Sequence, residues 1–133
     1  MKTMYKLMIV DDEQIEREGM AQFIPWEKYD VELCDTAWNG VDALEKIPKN
    51  IPDIVPTDIK MPVMDGIELI GRLSNEYKDI VIIVLSGYGE FEYTSKAMEF
   101  GVRHYLLKPC DEEKIVAVLN EAKKEVDMCK TAH

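Results

Sequence analysis

Three acids in a row, Asp11-Asp12-Glu13, close the apolar run Leu7-Met8-Ile9-Val10. Asp58, Ser86 and Lys108 close three further β-rich runs in the same way. Each is ordinary by itself: an acid after a strand usually caps a helix, a serine before glycine makes a turn, and a lone lysine is solvated. At four strand ends together they form a constellation. Carboxylates held close raise one another's pKa unless a cation sits among them. A hard, oxygen-seeking ion such as Mg2+ meets that need and keeps waters that a phosphate oxygen can replace. An amine and a hydroxyl can bind the other oxygens of a phosphoryl group. A carboxylate can itself be the nucleophile, giving an aspartyl-phosphate. The spacing points to metal-assisted phosphoryl chemistry.

The elements that must position these groups alternate between short apolar strands and longer amphipathic stretches. Strands are expected at Tyr5–Val10, Val31–Ala37, Asp53–Thr57, Ile80–Leu85 and His104–Leu107. Helices are expected at Gln14–Phe23, Gly40–Ile47, Gly66–Glu76, Phe91–Phe100 and Glu112–Val126. Ile80 to Leu85 is apolar on both faces, as in a parallel strand covered on each side. Five βα units imply an α/β fold with a parallel sheet and right-handed crossovers. Ligands of such sheets bind at the carboxyl ends of the strands. Asp65 reads as an N-cap before Gly66, Pro48 halts the second helix, Gly101 can end the fourth, and Asp111 can cap the last.

Bulk properties exclude several classes. The 133 residues suffice for one domain with a real core, and 47% hydrophobic content excludes a disordered tail. Sixteen basic against 26 acidic residues, a net charge of -10, argue against direct nucleic-acid binding or an anionic membrane surface. No run reaches transmembrane length, and the apolar segment after Met1 is too short for a signal peptide. Cys34, Cys110 and Cys129 lack metal or redox spacing, which suits reduced thiols in a cytoplasm. Two histidines, His104 and His133, exclude a histidine-rich metal site.

"VDDE", "TDIKMPVMDG" and "LSGYGEFEYTSKAMEFGVRHYLLKP" resemble the receiver domains of bacterial two-component response regulators, over roughly Lys6 to Val126. The resemblance implies a flavodoxin-like (βα)5 fold with strand order 2-1-3-4-5. It implies that Asp58 is the phosphoacceptor for a sensor histidine kinase. It also implies a Mg2+ ligand set of Asp12, Asp58 and the Lys60 backbone carbonyl, with Asp11 assisting through water. By the same resemblance Lys108 pairs with the phosphoryl group and Pro109 follows it, often after a cis peptide bond. Ser86 is then the switch hydroxyl and Tyr105 the aromatic that follows it inward, while Lys60 and Tyr88 sit where relatives tune the phosphoryl lifetime. The face from about Phe91 to Val126 is where relatives form a phosphorylation-dependent homodimer, with Lys96, Glu99, Arg103 and Asp111 as charged candidates. Ile15 reads either as part of a kinase-docking patch or as packing of the first helix.

"FIPWEKYDVELCDTAWNG" and "SGYGEFEYTSKAMEFGV" are most similar to receivers joined to AraC-type helix-turn-helix transcription factors. A receiver over residues 1–127 is expected, followed by a tail or truncated linker over 128–133. The DNA-binding domain of such a regulator is not in this sequence, and a single-domain regulator is the other possibility. One residue departs from the pattern. Pro56 falls in what should be the central strand, where proline donates no ladder hydrogen bond. A bulge or an early strand end is expected there, and replacement by leucine is expected to stabilise the domain. Pro56 also motivates an alternative, a degenerate receiver that binds partners without phosphorylation. A flavodoxin-type cofactor binder would need a phosphate loop where "DDEQIE" stands. An aspartyl phosphatase would need an acid where Lys60 stands.

Overall fold

The computed structural model describes residues 4–131. Met1–Thr3 of the expected domain and Ala132–His133 of the expected tail lie outside them. Five strands, β1 (Tyr5–Val10), β2 (Val31–Ala37), β3 (Ile54–Asp58), β4 (Val81–Ser86) and β5 (His104–Leu107), form one sheet in the order β2-β1-β3-β4-β5. All four pairings are parallel. The crossovers are α1 (Gln14–Phe23), α2 (Gly40–Lys46), α3 (Gly66–Glu76) and α4 (Phe91–Glu99), and α5 (Glu112–Thr131) closes the fold.

Alternation along each strand sends successive side chains to opposite faces. Met8, Val10, Val55, Ile82 and Val84 therefore join Leu69, Ile70, Leu73 and Ala97 in one core layer. Leu7, Ile9, Ile54, Ile83 and Leu85 join Ile115, Leu119, Ala122 and Val126 in the other. The expected caps form: Asp65 accepts from the Glu68 N–H at 2.9 Å and Asp111 from the Lys114 N–H at 2.9 Å. Gly101, at φ 87°, follows α4 in the left-handed region that favours glycine. Pro48 ends α2 as expected, in a short 3-10 turn, Ile47–Lys49. A second 3-10 turn, Trp26–Tyr29, buries Trp26, whose indole donates to the Met20 carbonyl at 3.1 Å.

The last helix does not end at Val126 but runs through Thr131, so the first part of the expected tail is helical. Two contacts tie its second half to the sheet. His104 Nε2 lies 2.7 Å from Glu125 Oε1, and the Tyr5 hydroxyl donates to Asp127 at 2.8 Å.

The break expected at Pro56 does not occur. β3 passes through Pro56 and stays in register with β4 from Ile54↔Val81 to Asp58↔Leu85. The Ile59 N–H donates to the Leu85 carbonyl at 3.2 Å, so residues 55, 57 and 59 turn their peptide groups to β4 and residues 54, 56 and 58 to β1. The donor that proline lacks therefore faces β1, where pairing is interrupted between Leu7↔Ile54 and Val10↔Thr57. In this register the acceptor deprived of it is the Met8 carbonyl. The defect is one missing bond rather than a bulge. Restoring a donor to a buried carbonyl is worth about 1–3 kcal/mol, and losing proline's stiffness gives back roughly 0.4–1 kcal/mol. Pro56→Val, which fits this buried position better than leucine, is expected to stabilise the domain by about 1 kcal/mol. An unchanged or lower urea midpoint would refute this account of the gap.

Candidate functional site

The carboxyl ends of β1, β3, β4 and β5 meet at one edge of the sheet. Asp11 continues β1 and is almost wholly buried. Its Oδ1 accepts from the Glu13 N–H at 2.9 Å, and its carbonyl accepts from Arg17 Nη1 at 2.9 Å. These contacts hold the turn between β1 and α1. Asp58 and Ser86 are the final residues of β3 and β4 rather than the first beyond them, and both are buried. Asp58 Oδ1 accepts from the Ile59 N–H at 3.0 Å.

The start of α3 is pressed against this strand end. The Gly66 N–H donates to the Ile59 carbonyl at 2.8 Å, and a Cβ at Gly66 would lie 2.3 Å from the Asp58 carbonyl oxygen. The intervening loop contains a γ-turn in which the Met64 N–H donates to the Pro62 carbonyl at 2.8 Å around Val63 at φ 70°. A β-branched residue in that region is strained. The strain is local to the loop that follows Asp58.

One carboxylate oxygen from each of Asp11, Asp12 and Asp58 lies within 4.8 Å of the others. Lys108, just past β5, reaches into this group: its Nζ is 3.0 Å from Asp11 Oδ2 and 3.4 Å from Asp58 Oδ2. A third carboxylate, Glu16 Oε2 on α1, lies closer still at 2.7 Å. The Lys108 N–H donates to the Ser86 carbonyl at 2.7 Å, which fixes its backbone to the end of β4.

The charges respond to this crowding. Burial pushes the Asp58 carboxyl up from 3.8 to about 7. The Asp11 charge and a hydrogen bond with Asp12 push the same way, and Lys108 pulls against them. Burial pulls Lys108 down, but its hydrogen bonds to Glu16 and Asp11 and the Asp58 charge outweigh it and raise it overall. The site is thus over-supplied with negative oxygen and has one ammonium to balance it. A hard cation would complete it.

A family model, the response regulator receiver domain, matches residues 7–120. The chain belongs to that family. It is a receiver domain of two-component signalling. The receiver is 49% identical over 135 residues to an uncharacterised transcriptional regulatory protein, YesN, of Bacillus subtilis, covering 98% of this chain and 37% of that protein. It also matches the receiver domain of AraT, a response regulator from Geobacillus stearothermophilus, at 32% identity with a TM-score of 0.81, over 96% of this chain and 97% of that one. A two-component transcriptional regulator AraC from Clostridium phytofermentans gives 31% identity and a TM-score of 0.82, over 97% and 99% of the two chains. The chain spans less than half the length of the curated relatives it matches.

The remaining residues singled out in the sequence divide. Tyr105 is half-buried, and its hydroxyl donates to the Val102 carbonyl at 3.0 Å. The Lys108–Pro109 peptide is cis. Lys60 stands two residues past Asp58 with its side chain exposed, as is Tyr88 beyond Ser86. Ile15 is 87% exposed, which removes the packing alternative for it. Two residues near the site were not foreseen: Glu16 on Lys108, and Glu90, whose carboxylate accepts from the Gly87 N–H just past Ser86. The contact of Glu16 joins residues 92 apart, so no local pattern announces it. Only its place in the first turn of the helix that follows the acids hints at it. Among the described residues no helix is long and apolar enough to cross a membrane.

Proposed function

We propose that Asp58 accepts a phosphoryl group from a phosphohistidine of a sensor histidine kinase. The observation that carries this reading is the meeting of the Asp11, Asp12 and Asp58 oxygens within 4.8 Å, with the Lys108 ammonium against two of them. In the transfer an Asp58 oxygen bonds to phosphorus while the donor's phosphorus–nitrogen bond breaks and the imidazole keeps the electron pair. Asp58 must be ionised to attack, and its raised pKa makes that depend on added positive charge. The donor set is all oxygen, crowded and partly buried, which fits Mg2+. Asp11, Asp12, Asp58 and the Lys60 carbonyl would hold it, and when bound it supplies charge neutralisation for an entering phosphoryl oxygen.

Lys108 would pair with the phosphoryl oxygens once the carboxylate is esterified. The Ser86 hydroxyl would bind another, and Tyr105 would exchange its bond to Val102 for an inward position as Ser86 moves. Pro109 shapes the backbone that carries Lys108. The output is a shift between two conformations, biased by contacts made only with the phosphoryl group present. Two surfaces suit the partners. Ile15 and Phe23 leave an exposed apolar edge on α1 beside the site for the kinase. Phe91, Met98 and Leu107 are exposed on α4 and β5 among Lys96, Glu99, Arg103 and Asp111, a face suited to a homodimer.

Residues 1–127 would form the receiver of a longer cytoplasmic regulator that controls transcription through a DNA-binding domain beyond it. The phosphorylation-independent alternative leaned on Pro56, whose strand keeps its register with β4. Intact mass after incubation with acetyl phosphate tests the reading. One phosphoryl adduct is expected, dependent on Mg2+ and absent from Asp58→Asn. A folded wild-type protein that gains no mass would overturn it.

A further inference from the structure

Three carboxylates surround the Lys108 ammonium, and they are not equivalent. Asp11 is buried and fixed by the Glu13 N–H, and Asp58 is buried at the end of β3. Glu16 makes the shortest contact of the three, 2.7 Å, yet its side chain, on the side of α1 that faces Lys108 and Pro109, is 47% exposed. It is neither part of the aspartate group nor a core residue. Its contact ties α1 to the segment after β5 across the mouth of the site.

Lys108 has three N–H donors: Glu16 and Asp11 each accept from one, and Asp58 Oδ2 lies farther off at 3.4 Å. A phosphoryl group on Asp58 would bring three further acceptor oxygens and about two negative charges within reach of the same ammonium. For Lys108 to bond more than one of those oxygens, one carboxylate must let go. Asp11 is locked by its backbone contacts, whereas Glu16 needs only to swing into water. We propose that Glu16 is a positioning residue that competes with the phosphoryl group for Lys108. It holds the ammonium at the mouth of the site in the resting state and releases it on phosphorylation, untying α1 from the segment after β5. This rests on the reading of Asp58 as the acceptor.

The competition predicts a gain of affinity when the competitor is removed. An exposed or half-exposed ion pair of this kind corresponds to roughly 1.5- to fivefold in a binding constant. Calorimetric titration with beryllofluoride and Mg2+, a phosphoryl mimic that needs no donor chemistry, reads it directly. Glu16→Gln is expected to bind the mimic about 1.5- to fivefold more tightly than wild type. In a Lys108→Ala background the same substitution should change nothing, an interdependence that a merely structural role for Glu16 would not produce. Glu16→Asp keeps the charge but loses the reach, and should behave as the glutamine variant does. Equal or weaker binding by Glu16→Gln would overturn the proposal, as would a gain that persists without Lys108. So would Glu16→Asp matching wild type, which would assign the effect to bulk repulsion. Wild type that takes up no mimic at all would instead overturn the acceptor reading, and this proposal with it.

Discussion

Gly66→Ala is expected to destabilise the domain by about 3 kcal/mol, the upper end of what overpacking costs, and to disable the site with it. The added Cβ would sit 2.3 Å from the Asp58 carbonyl oxygen and 2.7 Å from the Ile59 Cα. Both obstacles are backbone, so no side chain can rotate away. Either α3 lifts from the sheet, or the end of β3 moves and takes Asp58 with it. Gly71 provides the comparison. A Cβ there would meet only the tip of the Phe100 ring, at 3.3 Å, and that ring is 45% exposed. Gly71→Ala should therefore cost no more than about 1 kcal/mol, because the ring can give way into solvent. Urea unfolding of the two variants measures the difference. Equal, small losses would show that the approach of α3 to Asp58 is not the constraint described.

Asp58→Asn is expected to do the opposite, stabilising the metal-free domain by about 2 kcal/mol at pH 8. The full displacement of Asp58 from 3.8 to about 7 would correspond to roughly 4 kcal/mol. Solvent at the mouth of the site screens the charge, and we halve the figure accordingly. Between these two pH values the folded chain keeps a proton on Asp58 that the unfolded chain has lost. Stability of the wild type therefore falls as pH rises through that window and levels off above pH 7. The asparagine variant should lack this slope, so its advantage should vanish near pH 4 and be complete at pH 8. Added Mg2+ should stabilise the wild type and do much less for the variant. Thermal midpoints across pH, with and without the ion, test both parts. A wild type that gains stability between pH 5 and 7 would reverse the sign and refute the assignment.

Much of this was readable from the residues because strong local signals marked it. Apolar runs ending in Asp11, Asp58, Ser86 and Lys108 place those groups at one sheet edge. Asp65 and Asp111 cap their helices because a short carboxylate before a helix reaches the free N–H groups. What was missed depends on tertiary direction. Whether Pro56 breaks a strand turns on which neighbour its peptide faces, and sequence alone does not fix that parity. Ile15 could be a core or a surface residue until the sheet fixed the roll of α1. Glu16 reads as one more acid on a solvated face until the fold brings Lys108 to it. The run of α5 past Val126 was hidden because "MCKT" lacks the glycine or proline that would have marked either outcome.

The length of α5 has a mechanical consequence. Twenty residues make a rod of about 30 Å, and its root at Glu112 stands only four residues beyond Lys108. A tilt of about 5° at that root would carry the far tip sideways by about 2.5 Å, by the geometry of a straight helix. The clasps from His104 to Glu125 and from Tyr5 to Asp127 grip the outer half of this lever arm, where leverage against such a tilt is greatest. They are the latches to loosen if a displacement of a few tenths of an ångström near Lys108 is to be felt at the distal end.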